Sequence, residues 1–258
     1  TMKPLIEITT VPIQIEMKTT NAKLEYARGT AEMEITREKN GLSIKSRPIK
    51  VNIDTYEARN SLSPTLARYL EQTTHCPVYG NTRTKYYPLG DNCYDDILEA
   101  LRGAERYIFI EYFIIEEGKL WNSVLDILKE KVKQGLEVRV IYDDIGSMAT
   151  LPGDYPTRLE KLGVHCRVFN RFVPVVSLRQ NNRDHRKYMI VDGKVAFTGG
   201  INMADEYINV KPRFGHWKGS AIRLEGDAVW SMTVSFLAMW DFTNSEEEHF
   251  TPFRPAPA

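Results

Sequence analysis

The stretch DHRKYMIVDGKVAFTGGIN, residues 184–202, concentrates the side chains of this chain best suited to phosphoryl chemistry. His185 and Lys187 stand two apart at the start of an apolar run, and on a strand such spacing projects both side chains from one face. An imidazole beside an ammonium needs solvent or an anion there, because a buried unpaired cation is costly. Asp192 follows after four residues, and Gly199-Gly200-x-Asn202 after six more. Glycines let the backbone come close to a ligand, and an amide can donate to an oxygen. His185, Lys187 and Asn202, with Gly199 and Gly200 beside them, therefore describe a phosphate pocket. A His-x-Lys pair taken alone is better explained as an ordinary strand start.

The elements that must position these residues lie in an alternation of helix and strand from residue 91 onward. NCYDDILEALRGA reads as an amphipathic helix, RYIFIEYFII as a continuous apolar strand, LWNSVLDILKEKVKQG as a helix closed by Gly135, and LEVRVIYDDIG as a second strand. DYPTRLEKLGV and HCRVF repeat that order. KYMIVDGKVAFTGG makes two strands about a turn at Asp192-Gly193, and GDAVWSMTVSFLAMWDF is a long apolar helix in which Trp230 and Trp240 are core residues. The alternation predicts an α/β fold, a mixed sheet sandwiched by helices, over residues 91–243.

Residues 1–62 have another texture. IEITT, IQIEMKTT, AEMEIT, LSIKS and IKVNIDTYEA alternate apolar and polar residues, which predicts a small antiparallel all-β module. Residues 63–90 gather Asn, Ser, Pro and Gly around one short helical phrase, TLARYLEQ, and are expected to be a linker; residues 244–258 form an acidic, then Pro-rich tail.

Composition excludes several classes. Lys plus Arg equals Asp plus Glu at 34 each, so no global basic field favours nucleic acid, and an anionic partner must be met locally. Cys76, Cys93 and Cys166 are widely spaced and show neither a disulfide framework nor a zinc cluster. The Asp143-Asp144 pair that ends a strand is a weak metal candidate with no histidine nearby. No metal or cofactor is expected. No stretch reaches the roughly 18 apolar residues of a spanning helix, so work at a membrane would be done from its surface. In NRFVPVV, Phe172, Val173, Val175 and Val176 beside Arg171 suit either an interfacial dip or a packed loop.

The full pattern from His185 to Asn202 resembles the signature of the phospholipase D superfamily, whose members cleave or exchange phosphodiesters. The resemblance runs from about residue 66 to the C-terminus and is to the first catalytic half of bacterial cardiolipin synthase. It is carried also by PVYGNTRTKYYPLGDNCYDDILEALRGAERYIFIEYFIIEEG, VRVIYDDIGS and FGHWKGSAIRLEGDAVWSMTVSFLAMWDF. KPLIEITTVPIQIEMKTTNAKLEY and SRPIKVNIDTYEARNS resemble instead a small uncharacterised family of Gram-positive bacteria found near flagellar genes.

The first resemblance implies a phosphatidyltransferase acting on phosphatidylglycerol. His185 would be the nucleophile that becomes phosphohistidine, while Lys187 and Asn202 would hold the nonbridging oxygens. Asp192 belongs to the same motif as a catalytic residue, although a role in the turn suits it better. The protein would sit peripherally on the cytoplasmic face of the membrane. A dimeric phosphodiesterase or nuclease of the same superfamily, and a catalytically silent interaction module, are the alternatives; nucleic acid is not expected as a partner.

Two departures from the family pattern matter. Family active sites combine two such motifs, and this chain has one: His75, His165 and His249 lack a following Lys, and His216 has Lys218 but none of the downstream spacing. A truncated protein lacking its second half, or else a symmetric homodimer, is expected. The family would also place a carboxylate directly after HWK, where this chain has Gly219; Glu225 and Asp227 are the possible substitutes.

Overall fold

The computed structural model describes residues 33–38, 41–46, 64–74, 76–173, 181–213, 215–244 and 249–255. The chain divides into two units, Thr1–Thr73 and Thr74–Ala258. In the first, β1 (Met33–Glu38) and β2 (Gly41–Ser46) pair antiparallel, with Ile35 opposite Ile44. Helix α1 (Pro64–Thr74) follows, with proline at its first position, where a missing N–H costs nothing. The other strands expected within residues 1–62 lie outside the described residues.

The second unit is built on a seven-stranded sheet in the order β3-β9-β8-β7-β4-β5-β6. Its strands are β3 (Thr82–Tyr87), β4 (Tyr107–Tyr112), β5 (Glu137–Asp143), β6 (His165–Phe169), β7 (Lys187–Val191), β8 (Val195–Gly199) and β9 (Ala221–Gly226). Strands β4, β5 and β6 run parallel, and the remaining neighbours pair antiparallel, so the sheet is mixed as the alternation predicts. The C-terminal ends of β4, β5 and β6, the start of β7 and the end of β8 consequently share one edge.

Both faces of the central strands are buried, which is why RYIFIEYFII shows no polar alternation. On one face Ile108, Ile110 and Tyr112 of β4 join Val138, Val140, Met189 and Val191 under α2 (Asp91–Arg102), α3 (Lys119–Lys133) and α5 (Tyr155–Lys161). Leu101 of α2, Trp121 and Leu128 of α3 and Leu159 of α5 fill that layer. On the other face Tyr107 and Phe109 pack with Ile190 against Phe236, Leu237 and Trp240 of α6 (Val229–Asn244). Helix α3 ends where Gly135 takes φ +86°, a left-handed turn that favours glycine.

Two strands escape the sequence pattern. TRTKYY, within the expected linker, is the edge strand β3, exposed along most of its length and buried only at Tyr87. AIRLEG is β9, which joins β3 to the rest of the sheet. The tail also does more than link: Tyr107 donates its hydroxyl to the Phe253 carbonyl at 2.6 Å, and Phe253 is buried edge-on against the Tyr107 ring. Among the described residues no helix is long and apolar enough to cross a membrane.

Candidate functional site

Strand β7 begins at Lys187, so His185 stands two residues before it on an extended lead-in rather than on the strand itself. This separates the environments of the pair. His185 is exposed, whereas Lys187 is only 6% exposed. The Lys187 ammonium donates to the His185 carbonyl oxygen at 2.6 Å. Phe113, immediately after β4, joins them: its ring meets the imidazole edge-on with centroids 4.7 Å apart and lies 5.3 Å from Lys187 Nζ. Burial lowers the Lys187 pKa to about 8, against the upward pull of the Asp184 carboxylate. Such a cation, held half-desolvated beside an open imidazole, gains most by meeting an anion at that edge.

The lead-in is fixed by a buried ion pair. Asp143, at the end of β5, accepts from Arg183 Nε at 2.9 Å, from the Asp184 amide at 3.0 Å and from the Gly146 amide at 2.9 Å. Arg183 also donates to the carbonyls of Phe169 and Asn170 at the end of β6. Asp144 accepts from the Phe172 amide at 2.6 Å. Both carboxylates of the weak metal candidate are thus bonded within the protein, and among the described residues no group of three or more His, Cys, Asp or Glu is arranged to hold a metal ion.

Beneath His185, on the other face of the sheet, the residues flanking it meet a buried acid. Arg186 Nε lies 3.0 Å from Asp184 Oδ1 and 3.2 Å from Glu111 Oε1, and its Nη1 donates to Ser235 of α6 at 3.0 Å. Glu111 is fully buried. Burial and the adjacent Asp184 push its carboxyl up to about 9, with Arg186 opposing. The motif spacing gives no sign of this cluster, since Glu111 comes from β4, more than 70 positions upstream of Asp184.

Asn202 is buried and ties the far side of the pocket together. Its Oδ1 accepts from the Ile114 amide at 3.1 Å, and its Nδ2 donates to the Tyr207 hydroxyl at 2.8 Å. Since Ile114 follows Phe113, Asn202 stands one residue from the ring shared by His185 and Lys187. Gly199 has φ +151°, and a Cβ there would lie 2.4 Å from the Ser220 carbonyl, so the close approach of β9 already requires glycine. Gly200 is exposed, and a Cβ there would meet nothing nearer than 3.9 Å, which leaves open space beside the pocket.

Asp192 does not join this group. It lies past the other end of β7, where its carboxylate accepts from the amides of Glu105, Arg106 and Tyr107 at 2.8, 2.8 and 2.9 Å. Its φ of +55° opens the turn to β8. The five residues of β7 put it roughly 16 Å from Lys187 at strand rise. A catalytic part for Asp192 is therefore corrected to a structural one. Glu225 faces Val195 near that same distant turn and is bound by Arg223, so neither it nor the following Asp227 can replace the missing carboxylate. Gly219 is buried, and a Cβ there would lie 3.2 Å from Trp217 Nε1; the Trp217 ring in turn packs on Tyr207, the partner of Asn202.

Residues 97–211 match the family described as "Cardiolipin synthase, PLD-like domain", and residues 6–74 match the "Family of unknown function (DUF6470)". Residues 97–211 of the second unit are thus similar to the PLD-like domain of cardiolipin synthases. The chain is 35% identical over 161 residues to "Cardiolipin synthase 2" of Staphylococcus epidermidis, covering 62% of this chain and 33% of that protein. It is 50% identical over 188 residues to an "Uncharacterized protein" of Streptococcus mutans, covering 73% of this chain and 41% of that one. The chain thus spans less than half the length of these relatives. Among solved structures, "NucT from Helicobacter pylori" is similar at a TM-score of 0.49 and 12% identity, covering 62% of this chain and 97% of that chain.

Proposed function

We propose that the second unit is the nucleophilic half of a phosphatidyltransferase that converts two phosphatidylglycerol molecules into cardiolipin and glycerol. An imidazole nitrogen of His185 attacks phosphorus; the bond to the glycerol headgroup oxygen breaks, and that oxygen takes a proton as glycerol leaves. A hydroxyl of a second phosphatidylglycerol then attacks the phosphohistidine, its proton returning to the group that protonated the glycerol oxygen; the phosphorus–nitrogen bond breaks and the imidazole is regenerated. Splitting one displacement in two is the general advantage of covalent catalysis. The Lys187 ammonium, freed from the His185 carbonyl by the incoming oxygen, stabilises charge on the phosphoryl group. Asn202 acts chiefly by holding the Phe113–Ile114 segment, with its remaining amide hydrogen available to the phosphate.

The observation that carries this reading is the exposed His185 against the half-desolvated Lys187, bridged by one aromatic ring at the edge where β4, β5, β7 and β8 meet. The proton for the leaving oxygen comes from a second motif, supplied by a missing half or by a second copy of this chain. The protein works peripherally, at the membrane surface that holds its substrate. Incubation with phosphatidylglycerol vesicles, with lipid products identified by mass and the oligomeric state by light scattering, tests this. Where light scattering finds a dimer, cardiolipin made by the wild type and not by His185→Ala is expected; cardiolipin made equally by both would overturn the reading.

A further inference from the structure

We propose that Ile145, Met148, Phe172 and Val173 form an apolar rim that seats the His185 edge of the second unit on the headgroup–acyl boundary of an anionic bilayer. The inference deepens the lipid-directed reading above and rests on it. These four side chains are 37%, 57%, 46% and 52% exposed. Single exposed apolar residues are ordinary on any protein; a contiguous group is not.

Contiguity is built by the backbone. The short helix α4 (Asp144–Ser147) carries Ile145, with Met148 at its C-cap, and the segment after β6 carries Phe172 and Val173. The hydrogen bond from the Phe172 amide to Asp144 clamps one segment to the other. Asn170 Nδ2, donating to the Asn182 carbonyl at 2.8 Å, ties the second segment to the lead-in of His185. On the other side, Gly146 sits against Phe113: a Cβ at Gly146 would lie 2.2 Å from the Phe113 carbonyl and 2.9 Å from its ring. Phe113 packs in turn on His185, so the rim begins one residue layer from the imidazole.

Charge favours an anionic surface as the occupant. Arg171 is exposed immediately before Phe172, and Lys187 and His185 lie on the same edge of the sheet; the carboxylates Asp143 and Asp144 are turned inward onto Arg183 and the Phe172 amide. An apolar patch with an interspersed cation is the composition that settles into a headgroup layer, the cation remaining among the phosphates. Val175 and Val176 of the same sequence phrase lie outside the described residues and are not needed for this rim.

The test is co-sedimentation of the full chain with phosphatidylglycerol–phosphatidylcholine vesicles, comparing wild type with two paired variants, Ile145→Ser/Met148→Ser and Phe172→Ser/Val173→Ser. Thermal unfolding of each is followed alongside, and substitutions at such exposed positions are expected to leave the midpoint unchanged. The wild type should sediment with the vesicles, and each pair of serines should weaken its binding at least tenfold. Paired variants that bind as the wild type does, or a wild type that ignores these vesicles, would overturn the proposal. Rim-dependent binding by a chain that forms no phosphatidyl adduct at His185 would support the docking surface while removing the transferase reading.

Discussion

Lys187 holds its ammonium 2.6 Å from the carbonyl oxygen of His185, its neighbour in the motif. The bond is the resting arrangement of a cation that burial has already made reluctant to stay charged, with a pKa near 8. Transition-state stabilisation by Lys187 requires the protonated form, so the transfer rate should fall as pH rises through about 8. Lys187→Arg keeps its charge through the whole accessible range. It is expected to lower kcat on the order of tenfold to a hundredfold and to abolish the alkaline limb, which a pH–rate profile with either protein reads directly.

Glu111 supplies a separate pH signature, in stability. Its carboxyl is raised to about 9 by burial and Asp184, so the folded state holds a proton that the unfolded chain releases in the ordinary carboxylate range. That contribution is complete below the ordinary carboxylate pKa and is lost as pH rises through about 9. Glu111→Gln resembles the protonated acid. Its melting temperature should decline less between pH 6 and pH 9 (roughly the span between the two pKa values) than the wild type's. Glu111→Ala leaves Arg186 less well paired beneath His185 and should destabilise by about 1–3 kcal/mol. Equal pH slopes for wild type and Glu111→Gln would refute the protonated acid.

Asp192→Ala removes the acceptor of three backbone amides at the turn remote from His185. A loss of about 2–4 kcal/mol is expected in denaturant unfolding. The phosphoryl step of the protein that remains folded should be unchanged. A variant that stays stable but loses turnover would restore Asp192 to the chemistry.

Gly219 has a backbone outside the left-handed region, and a Cβ there would lie 3.2 Å from the edge of the Trp217 indole, which must give by a few tenths of an ångström to admit a side chain. Gly219→Asp, restoring the carboxylate of the family pattern, is expected to raise cardiolipin formation on the order of tenfold, a modest share of what general acid–base groups contribute. No change in rate would mean that this position does not orient the nucleophile.

Much of this was legible in order along the chain and little of it across the sheet. The run from Tyr107 to Tyr112 announces a strand buried on both faces, and the motif from His185 to Asn202 singles out the candidate phosphate pocket, because both signals are local. Strand β3 stays hidden because an edge strand needs few apolar residues, and only Tyr87 of TRTKYY is buried. Glu111 under His185, Asp143 bonded to Arg183 and Asp192 bonded to the amides ahead of β4 are pairings between strands distant in sequence, which no single-segment pattern encodes. The motif also suggests that His185 and Lys187 are equivalent neighbours on a strand. Folding makes one an open imidazole and the other a buried cation, because β7 starts between them.

The most direct test of His185 uses a phosphatidyl ester of p-nitrophenol, whose leaving group departs without a proton and so does not require a second motif. Mixing it with the full chain should release a burst of nitrophenolate stoichiometric with protein and add one phosphatidyl group to its intact mass, with both signals absent in His185→Ala. A chain that shows no burst and no adduct, or a His185→Ala variant that shows both, would contradict the assignment of His185 as the nucleophile.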